Sequence, residues 1–300
     1  MNYVWVFLKG LAMGAADVVP GVSGGTIAFI TGIYARLLTA ITQINFQALR
    51  IVKNEGVVSA WKYIDGNFLV ALGVGILTAI ITLARVIHYL LMTHPIFVWS
   101  FFFGLIIASC WHIGRTIKQW RGFEVIALCV GAAIAAYISV VSPTEIAATL
   151  PVVFIAGSIA ICAMILPGIS GSFMLLLMGL YGPIMGAIHD ANVVLLGTFM
   201  GGAVCGLLLF SRLLSALLQR YESVMLSLLT GFMVGSLVKV WPWKETVLTR
   251  INSHGVEVPF IETNVLPAFD QMLLIALVLA VAGAAVVLLM ERVAVKDTQH

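Results

Sequence analysis

The sequence has little charge. Asp, Glu, Lys and Arg together make up 10% of its 300 residues, whereas a soluble globular domain carries roughly a quarter of such residues. This deficit excludes an ordinary soluble domain and requires an apolar solvent for most of the chain. The net charge is only +3, and the basic residues are scattered among short connecting segments. We therefore expect no nucleic-acid-binding surface.

Cysteine is also scarce, and its four copies show no metal-ligand spacing. Cys110, Cys129, Cys162 and Cys205 all lie within apolar segments, a pattern typical of lone buried thiols. We therefore expect no metal site and no cofactor. The N-terminus lacks a basic leader and a small-residue cleavage site before Pro20, so we also expect no signal peptide.

Long apolar segments dominate the chain instead. Hydrophobic residues make up 61% of it, and the mean hydropathy is +1.10. A helix needs about 20 residues to cross an apolar core of ~30 Å. Backbone groups in lipid must be hydrogen-bonded internally, and the alternation of a β-barrel is absent. The sequence therefore predicts an all-α integral membrane protein. Its predicted transmembrane helices are 68–92, 96–113, 123–141, 193–214, 224–240 and 271–290.

The chain is predicted to be an internal duplication. A first alignment, of 10–41 with 157–188, gives identical residues at ten of 32 positions. After a gap, a second and weaker alignment pairs Arg85 with Arg212. The predicted units are repeat 1 over 1–142, with a helical hairpin over 4–41, and repeat 2 over 152–292, with a hairpin over 152–190 and an external loop over 242–269. Each repeat adds three transmembrane helices, and the two form a single membrane domain.

Positive charge indicates how each hairpin meets the membrane. Cytoplasmic loops of membrane proteins are enriched in Lys and Arg. If each hairpin enters and leaves on the same side, ten basic residues collect on one face, among them Arg50, Arg115 and Arg220. If each hairpin crosses once, that bias largely disappears. The sequence therefore predicts re-entrant hairpins, cytoplasmic termini and two inverted repeats of three crossings each, as in many secondary transporters.

Each hairpin contains a break with the pattern Pro-Gly-x-Ser-Gly, "PGVSGG" at 20–25 and "PGISGS" at 167–172. Proline ends the helix before it, and glycine permits backbone angles that other residues avoid. Ser23 and Ser170 are predicted to cap the helices that follow. Unpaired amides at those helix starts carry the positive end of the helix dipole and suit a phosphate or carboxylate. The predicted breaks are Pro20, Gly21, Pro167 and Gly168, and the predicted phosphate-binding residues are Ser23, Gly24, Gly25, Thr26, Ser170, Gly171 and Ser172.

Two other interpretations of the repeated motif are open. Glycines in membrane helices often serve only close helix packing. The G-x-S-G pattern is also the nucleophile motif of rhomboid intramembrane proteases, and His88, His94 or His112 could then supply the base. None of these histidines recurs in the second copy, whereas a duplicated binding tip suits a transporter. We therefore favour anion binding.

Three charged residues inside apolar segments are functional candidates, because such residues are costly in a membrane. Asp17 lies one turn before the first break and is a candidate for coupling to protons or sodium, with a structural ion pair or helix cap as the alternative. Arg85 and Arg212 occupy equivalent positions, which inversion directs towards opposite faces. They are predicted to bind the substrate phosphate, although snorkelling to lipid phosphate explains either one alone.

The run GLAMGAADVVPGVSGGTIAFITGIYARLL at 10–38 and its echo LPGISGSFMLLLMGLYGPI at 166–184 resemble the bacterial polyprenyl-phosphate transporter family, formerly a family of unknown function. The resemblance extends over essentially the whole chain. It implies a flippase, not an enzyme, that returns undecaprenyl phosphate or a related polyprenyl phosphate to the cytoplasmic leaflet of the bacterial inner membrane. The motif residues would then surround the substrate path.

One position departs from the family pattern. A Glu often precedes the arginine of the Tyr-x-Arg segment in the family, whereas this chain has Ala35 there, so no role of that carboxylate carries over. The function expected from residues and resemblance together is lipid-phosphate transport by alternating access, and a homo-oligomer is compatible with it. The alternatives are a transporter or channel for a small water-soluble anion, and a G-x-S-G intramembrane hydrolase.

Overall fold

The computed structural model describes residues 2–19, 21–117, 119–144, 146–251 and 257–297. Pro20 of the first predicted break lies outside the described residues. The first half of the chain contains α1 (Tyr3–Asp17), α2 (Gly24–Ile30), α3 (Tyr34–Thr42), α4 (Phe46–Glu55), α5 (Val57–Tyr63), α6 (Gly66–Thr82), α7 (Ala84–Thr93), α8 (Pro95–Thr116) and α9 (Gly122–Val140). The second half contains α10 (Leu150–Ile165), α11 (Gly171–Leu177), α12 (Tyr181–His189), α13 (Val193–Arg220), α14 (Glu222–Val240), β1 (Lys244–Ile251), β2 (Glu257–Asn264) and α15 (Gln271–Asp297).

Membrane-spanning helices dominate the described part of the chain. There, α8, α9, α13, α14 and α15 are each long and apolar enough to cross a bilayer. Three further apolar helix pairs pass the same test together but are bent: α2 and α3 by 114°, α5 and α6 by 69°, and α11 and α12 by 108°. This confirms the predicted class, a helical membrane protein with several crossings.

The transmembrane helix predicted over 68–92 is interrupted. α6 ends at Thr82 and α7 begins at Ala84, with Leu83 between them. The interruption follows Ile80, Ile81 and Thr82, whose β-branched side chains lower helix propensity. The hydroxyl of Thr82 also donates to its own helix backbone, at Thr78 O, a contact that often bends helices.

The two halves share the local geometry of their hairpins. The first alignment of the repeats pairs the start of α2 with the start of α11, and the start of α3 with the start of α12. Gly21 and Gly168 have φ angles of 86° and 83°, and Gly32 and Gly179 have φ angles of 72° and 70°. These left-handed angles explain why glycine stands at each of the four turns. The same two turns therefore occur at matching places in both halves.

Close helix packing is also repeated. A side chain at Gly10 of α1 would collide with the carbonyl oxygen of Leu72 in α6, and one at Gly157 of α10 would collide with that of Phe199 in α13. The first alignment pairs the two glycines, and the second pairs Leu72 with Phe199. The helix pairs α1–α6 and α10–α13 thus pack through equivalent glycines.

The last long apolar helix of each half, α9 in the first and α15 in the second, packs against the opposite half. α9 lies along α14, and α15 lies along α8. Glycines let the facing backbones approach closely, at Gly131, Gly231 and Gly235 in the first of these pairs and at Gly104 and Gly283 in the second. The halves are therefore interlocked through two glycine-lined helix pairs, and each depends on the other for its packing.

The predicted external loop contains a two-stranded antiparallel ribbon, which the sequence analysis did not anticipate. β1 and β2 pair from Lys244 with Asn264 to Ile251 with Glu257. The ribbon is tied to the end of α14, because the Asn264 side chain donates to Val238 O at 2.7 Å. Among the described residues, this ribbon is the part that departs from the all-α prediction. It also brings the start of β1 back onto the helices.

Candidate functional site

The first break is closed by side chains from both of its ends. Ser23 is the N-cap of α2, and its Oγ accepts a hydrogen bond from Gly25 N at 3.1 Å, as predicted for this serine. Asp17, the last residue of α1, accepts a hydrogen bond from Gly24 N at 2.6 Å through Oδ1. Its carboxylate therefore lies at the positive end of the α2 dipole.

A buried lysine occupies the other end of α2. Lys9 of α1 donates from Nζ to Thr31 O, just beyond the C-terminus of α2, at 3.0 Å, and only 9% of Lys9 is exposed. The Asp17 carboxylate thus lies at the positive N-terminal end of α2, and the Lys9 ammonium lies at its negative C-terminal end. Both contacts favour the antiparallel pairing of α1 and α2. Lys9 is not among the residues predicted from the sequence. The signal available was a cation inside the apolar segment that leads to the first break.

The second break has the expected place but different partners. α10 ends at Ile165, Pro167 and Gly168 lie in the turn, and α11 begins at Gly171. Ser170 occupies the N-cap position, yet its Oγ pairs with Ser172 Oγ at 3.0 Å and caps no backbone amide. The prediction that Ser170 caps α11 through its side chain was wrong, because the Ser170 hydroxyl bonds to the Ser172 hydroxyl instead of to a backbone amide of α11.

The two breaks meet each other. Ser23 Oγ donates to Met164 O at 2.9 Å, and Tyr34 OH donates to Ile165 O at 3.1 Å. In the other direction, Gly168 N donates to Thr26 Oγ1 at 2.9 Å. Residues from opposite halves of the chain therefore satisfy one another's backbone groups. We call the contact between 17–26 and 164–172 the tip junction.

The tip junction is buried and tightly packed. Ser23, Thr26 and Ser170 are 1%, 0% and 5% exposed. A Cβ atom on Gly25 would lie 2.6 Å from Ile165 O and 2.9 Å from Met164 O, so a larger residue would push the two tips apart. Glycine at position 25 is thus explained by the close approach of a neighbouring backbone.

The amides of the first tip are not free in this conformation. Gly24 N donates to Asp17, Gly25 N donates to the Ser23 side chain, and Thr26 N donates to Ser23 O at 2.9 Å. The chain itself supplies the acceptors that these helix-start amides need in this conformation. An incoming anion would have to displace the Asp17 carboxylate, and the role of Ser23, Gly24, Gly25 and Thr26 in binding phosphate stays a prediction.

The two candidate arginines lie elsewhere. Arg85 lies in the first turn of α7 and Arg212 lies in the second half of α13, and both are exposed on their helices, in contrast to the buried tip residues. The structure therefore does not bring them into the tip junction. Exposure of this kind suits contact with lipid headgroups, and their role in substrate binding stays a prediction, as does ion coupling by Asp17.

The structure gives the hydrolase alternative no support. Ser23 Oγ both donates to and accepts from backbone groups, whereas an activated serine needs a base within hydrogen-bonding distance. Ser170 Oγ pairs with the hydroxyl of Ser172, which is not a base.

The structure is that of a multi-pass membrane protein, with several apolar helices and two broken hairpins that meet in a buried junction. The family model described as VCA0040-like, undecaprenyl phosphate translocase-like, matches residues 13–258, and the chain belongs to this family.

Two relatives are known by name. A protein of Vibrio cholerae serotype O1 named polyprenyl-phosphate transporter is 52% identical over 303 aligned positions, which cover 99% of this chain and 98% of that protein. A protein of Staphylococcus aureus with the same name is 31% identical over 260 positions, which cover 80% of this chain and 87% of that protein. No solved structure matches the chain.

Proposed function

We propose that this protein moves undecaprenyl phosphate, or a related polyprenyl phosphate, from the outer to the cytoplasmic leaflet of the bacterial inner membrane. The observation that carries the proposal is the tip junction, where two broken hairpins from the two halves meet inside the apolar helices. Both named relatives are called polyprenyl-phosphate transporters. The phosphate would pass between the tips while the polyprenyl tail stays in lipid.

In this proposal the hairpins are re-entrant and the two repeats are inverted. The bends of 114° and 108° at corresponding places support hairpins of the same shape in both halves. Three crossings in each repeat give the halves opposite orientations, and the excess of basic residues on one face favours cytoplasmic termini. Each tip would then approach the middle of the bilayer from a different side.

Alternating access follows from what holds the junction together. Ser23 and Thr26 of the first tip are bonded to Met164 and Gly168 of the second half. A phosphate oxygen could accept from Ser23 Oγ in place of Met164 O and from Gly168 N in place of Thr26 Oγ1, and a water molecule could donate to the carbonyl that is left free. Separation of the tips would open the path towards one leaflet, and their return would close it.

Asp17 gives this cycle a means of ion coupling. Its carboxylate occupies the helix start that the phosphate is proposed to use, and two anions at one site repel each other. Binding of phosphate would therefore require Asp17 to move away, take up a proton or pair with a cation. Arg85 and Arg212 would attract the headgroup at the two membrane surfaces before and after this step.

A reconstituted transport assay tests the proposal. Protein in liposomes should move undecaprenyl phosphate between leaflets faster than empty liposomes do, as followed by the accessibility of the phosphate to an impermeant reagent. Labelled inorganic phosphate, offered without the lipid, should not cross. Lipid movement no faster than in empty liposomes would overturn the proposal, and uptake of the free anion would instead establish a small-anion transporter.

A further inference from the structure

A cavity of about 280 Å³ lies beside the tip junction, at the end of α14 where the β ribbon begins. Its walls come from the end of α9, from α11, from the last turn of α14 and from the ribbon. Phe173, Leu176 and Leu177 form an apolar side, and Lys239, Lys244 and Glu262 form a charged one. Apolar walls with a few polar groups on one side are typical of ligand sites.

Lys244 is a buried cation with an incomplete set of partners. Its side chain is 7% exposed, and its Nζ lies 3.7 Å from Glu262 Oε2 and 4.0 Å from the centre of the Trp99 ring. Among the described residues, Nζ finds no hydrogen-bond acceptor. An ammonium group has three N–H donors, and burying such a group without acceptors is costly. Lys244 is therefore ready to bind an anion.

Lys239 adds a second positive charge and connects the cavity to both tips. Its Nζ lies 4.7 Å from the ring centre of Phe173 in α11, the helix that follows the second tip. Its alkyl chain packs on the first tip, where a Cβ atom at Gly21 would be 2.7 Å from Lys239 Cγ. Two ammonium groups face one carboxylate, so the charged side of the cavity is positive by one unit.

The pKa of Lys244 reflects this environment. It is lowered to about 8, chiefly by burial; the nearby Glu262 carboxylate opposes this shift, and the positive charge of Lys239 adds to it. An anion in the cavity would stabilise the charged forms of both lysines. It would thereby offset the desolvation cost of Lys244 and the repulsion between Lys244 and Lys239.

We propose that this cavity binds the phosphomonoester headgroup of the transported lipid, with Lys244 and Lys239 as donors, before the headgroup enters the tip junction. This inference rests on the proposed function. A phosphomonoester brings three acceptor oxygens, which suits two lysines with few acceptors of their own. A cavity of about 280 Å³ admits the headgroup and leaves the tail outside, along the apolar side formed by α11. Glu262 limits the positive charge and so favours release to the tips.

Lysine variants test the site by binding and transport. Calorimetry of protein in nanodiscs with undecaprenyl phosphate should show a loss of affinity of about 10- to 100-fold for Lys244→Gln and for Lys239→Gln, since each removes a charge-assisted hydrogen bond. Lys244→Arg should retain binding. The matched control is Lys53→Gln, which removes an exposed cation of α4 and should leave affinity and transport as in the wild type.

Glu262→Gln provides a result that misfolding cannot imitate. Removal of the competing carboxylate should tighten binding at pH 7 several-fold. If wild-type protein transports the lipid and the Lys244 and Lys239 variants keep wild-type affinity and rate, the headgroup site is wrong and the proposed function stands. If the wild type binds inorganic phosphate as tightly as the lipid, the cavity serves the free anion and its assignment to the lipid headgroup is overturned. Failure of the wild type to move the lipid overturns the proposed function itself.

Discussion

The bond between Thr26 and Gly168 allows a quantitative test of the tip junction. Thr26→Val keeps the size and branching of the side chain and removes its oxygen. The Gly168 N–H, now bonded at 2.9 Å, would be left unpaired beside a residue that is 0% exposed. A buried unpaired donor costs about 1–3 kcal/mol. We expect the peptide containing Gly168 to exchange its amide hydrogen about 5- to 150-fold faster, because that energy lowers the cost of local opening.

Hydrogen exchange followed by mass spectrometry measures this effect, and two variants control it. Thr78→Val makes the same replacement where the hydroxyl donates only to Val74 O of its own helix, so exchange near Gly168 should stay as in the wild type. Thr26→Ser keeps the oxygen and should restore slow exchange. Equal exchange in Thr26→Val and the wild type would refute the reasoning, as would an equal increase in Thr78→Val.

Three further predictions concern the tips and the adjoining cavity. Gly25→Ala should destabilise the protein by about 1–3 kcal/mol in thermal unfolding, because the new Cβ would lie 2.6 Å from a carbonyl oxygen at the end of α10. The control Gly73→Ala, whose Cβ would have nothing within 4 Å, should be neutral or stabilising. Equal effects of the two variants would contradict the close contact at Gly25. Asp17→Ala should lower stability by about 0.5–2 kcal/mol, since Gly24 N then loses its acceptor; an unchanged unfolding temperature would rule out the cap. Phosphate binding should weaken as the pH rises through about 8, where Lys244 loses its proton; Lys244→Arg should reduce this pH dependence, because arginine stays charged, and an unreduced dependence in that variant would contradict the role of Lys244.

Local chemistry made the breaks predictable from the sequence. Pro167, Gly168 and the matching Gly21 leave a helix few alternatives to ending there, and a serine followed by glycines is a strong start signal. Long apolar segments determined the protein class in the same way. These features depend on residues that are neighbours in the chain, and so they could be read without knowing the fold.

The partners within the tip junction could not be predicted in that way. Whether Asp17 reaches Gly24 depends on how the chain turns over residues 18–23, and whether Lys9 reaches Thr31 depends on the angle between two helices. The pairing of Ser23 with Met164 joins residues from opposite halves of the chain. Such contacts are set by the packing of whole helices.

The charges show the same distinction. Arg85 and Arg212 are candidates because they occupy equivalent positions in the two repeats, yet both are exposed. Lys244 looked like an ordinary loop residue, because its burial depends on a ribbon that folds back over Trp99 of the first half. Local pattern does not report such folding back, because the residues of β1 show no regular alternation of apolar and polar side chains.

Photo-cross-linking tests the central claim most directly. A polyprenyl phosphate analogue with a diazirine next to its phosphate would be bound to the protein in liposomes and irradiated. The residues to which it becomes attached would then be mapped by mass spectrometry. We predict cross-links within 20–26 and 167–172 and at Lys239 and Lys244, all suppressed by excess undecaprenyl phosphate. Cross-links confined to the exposed surfaces around Arg85 and Arg212, with none at either tip while transport continues, would contradict passage of the phosphate between the tips.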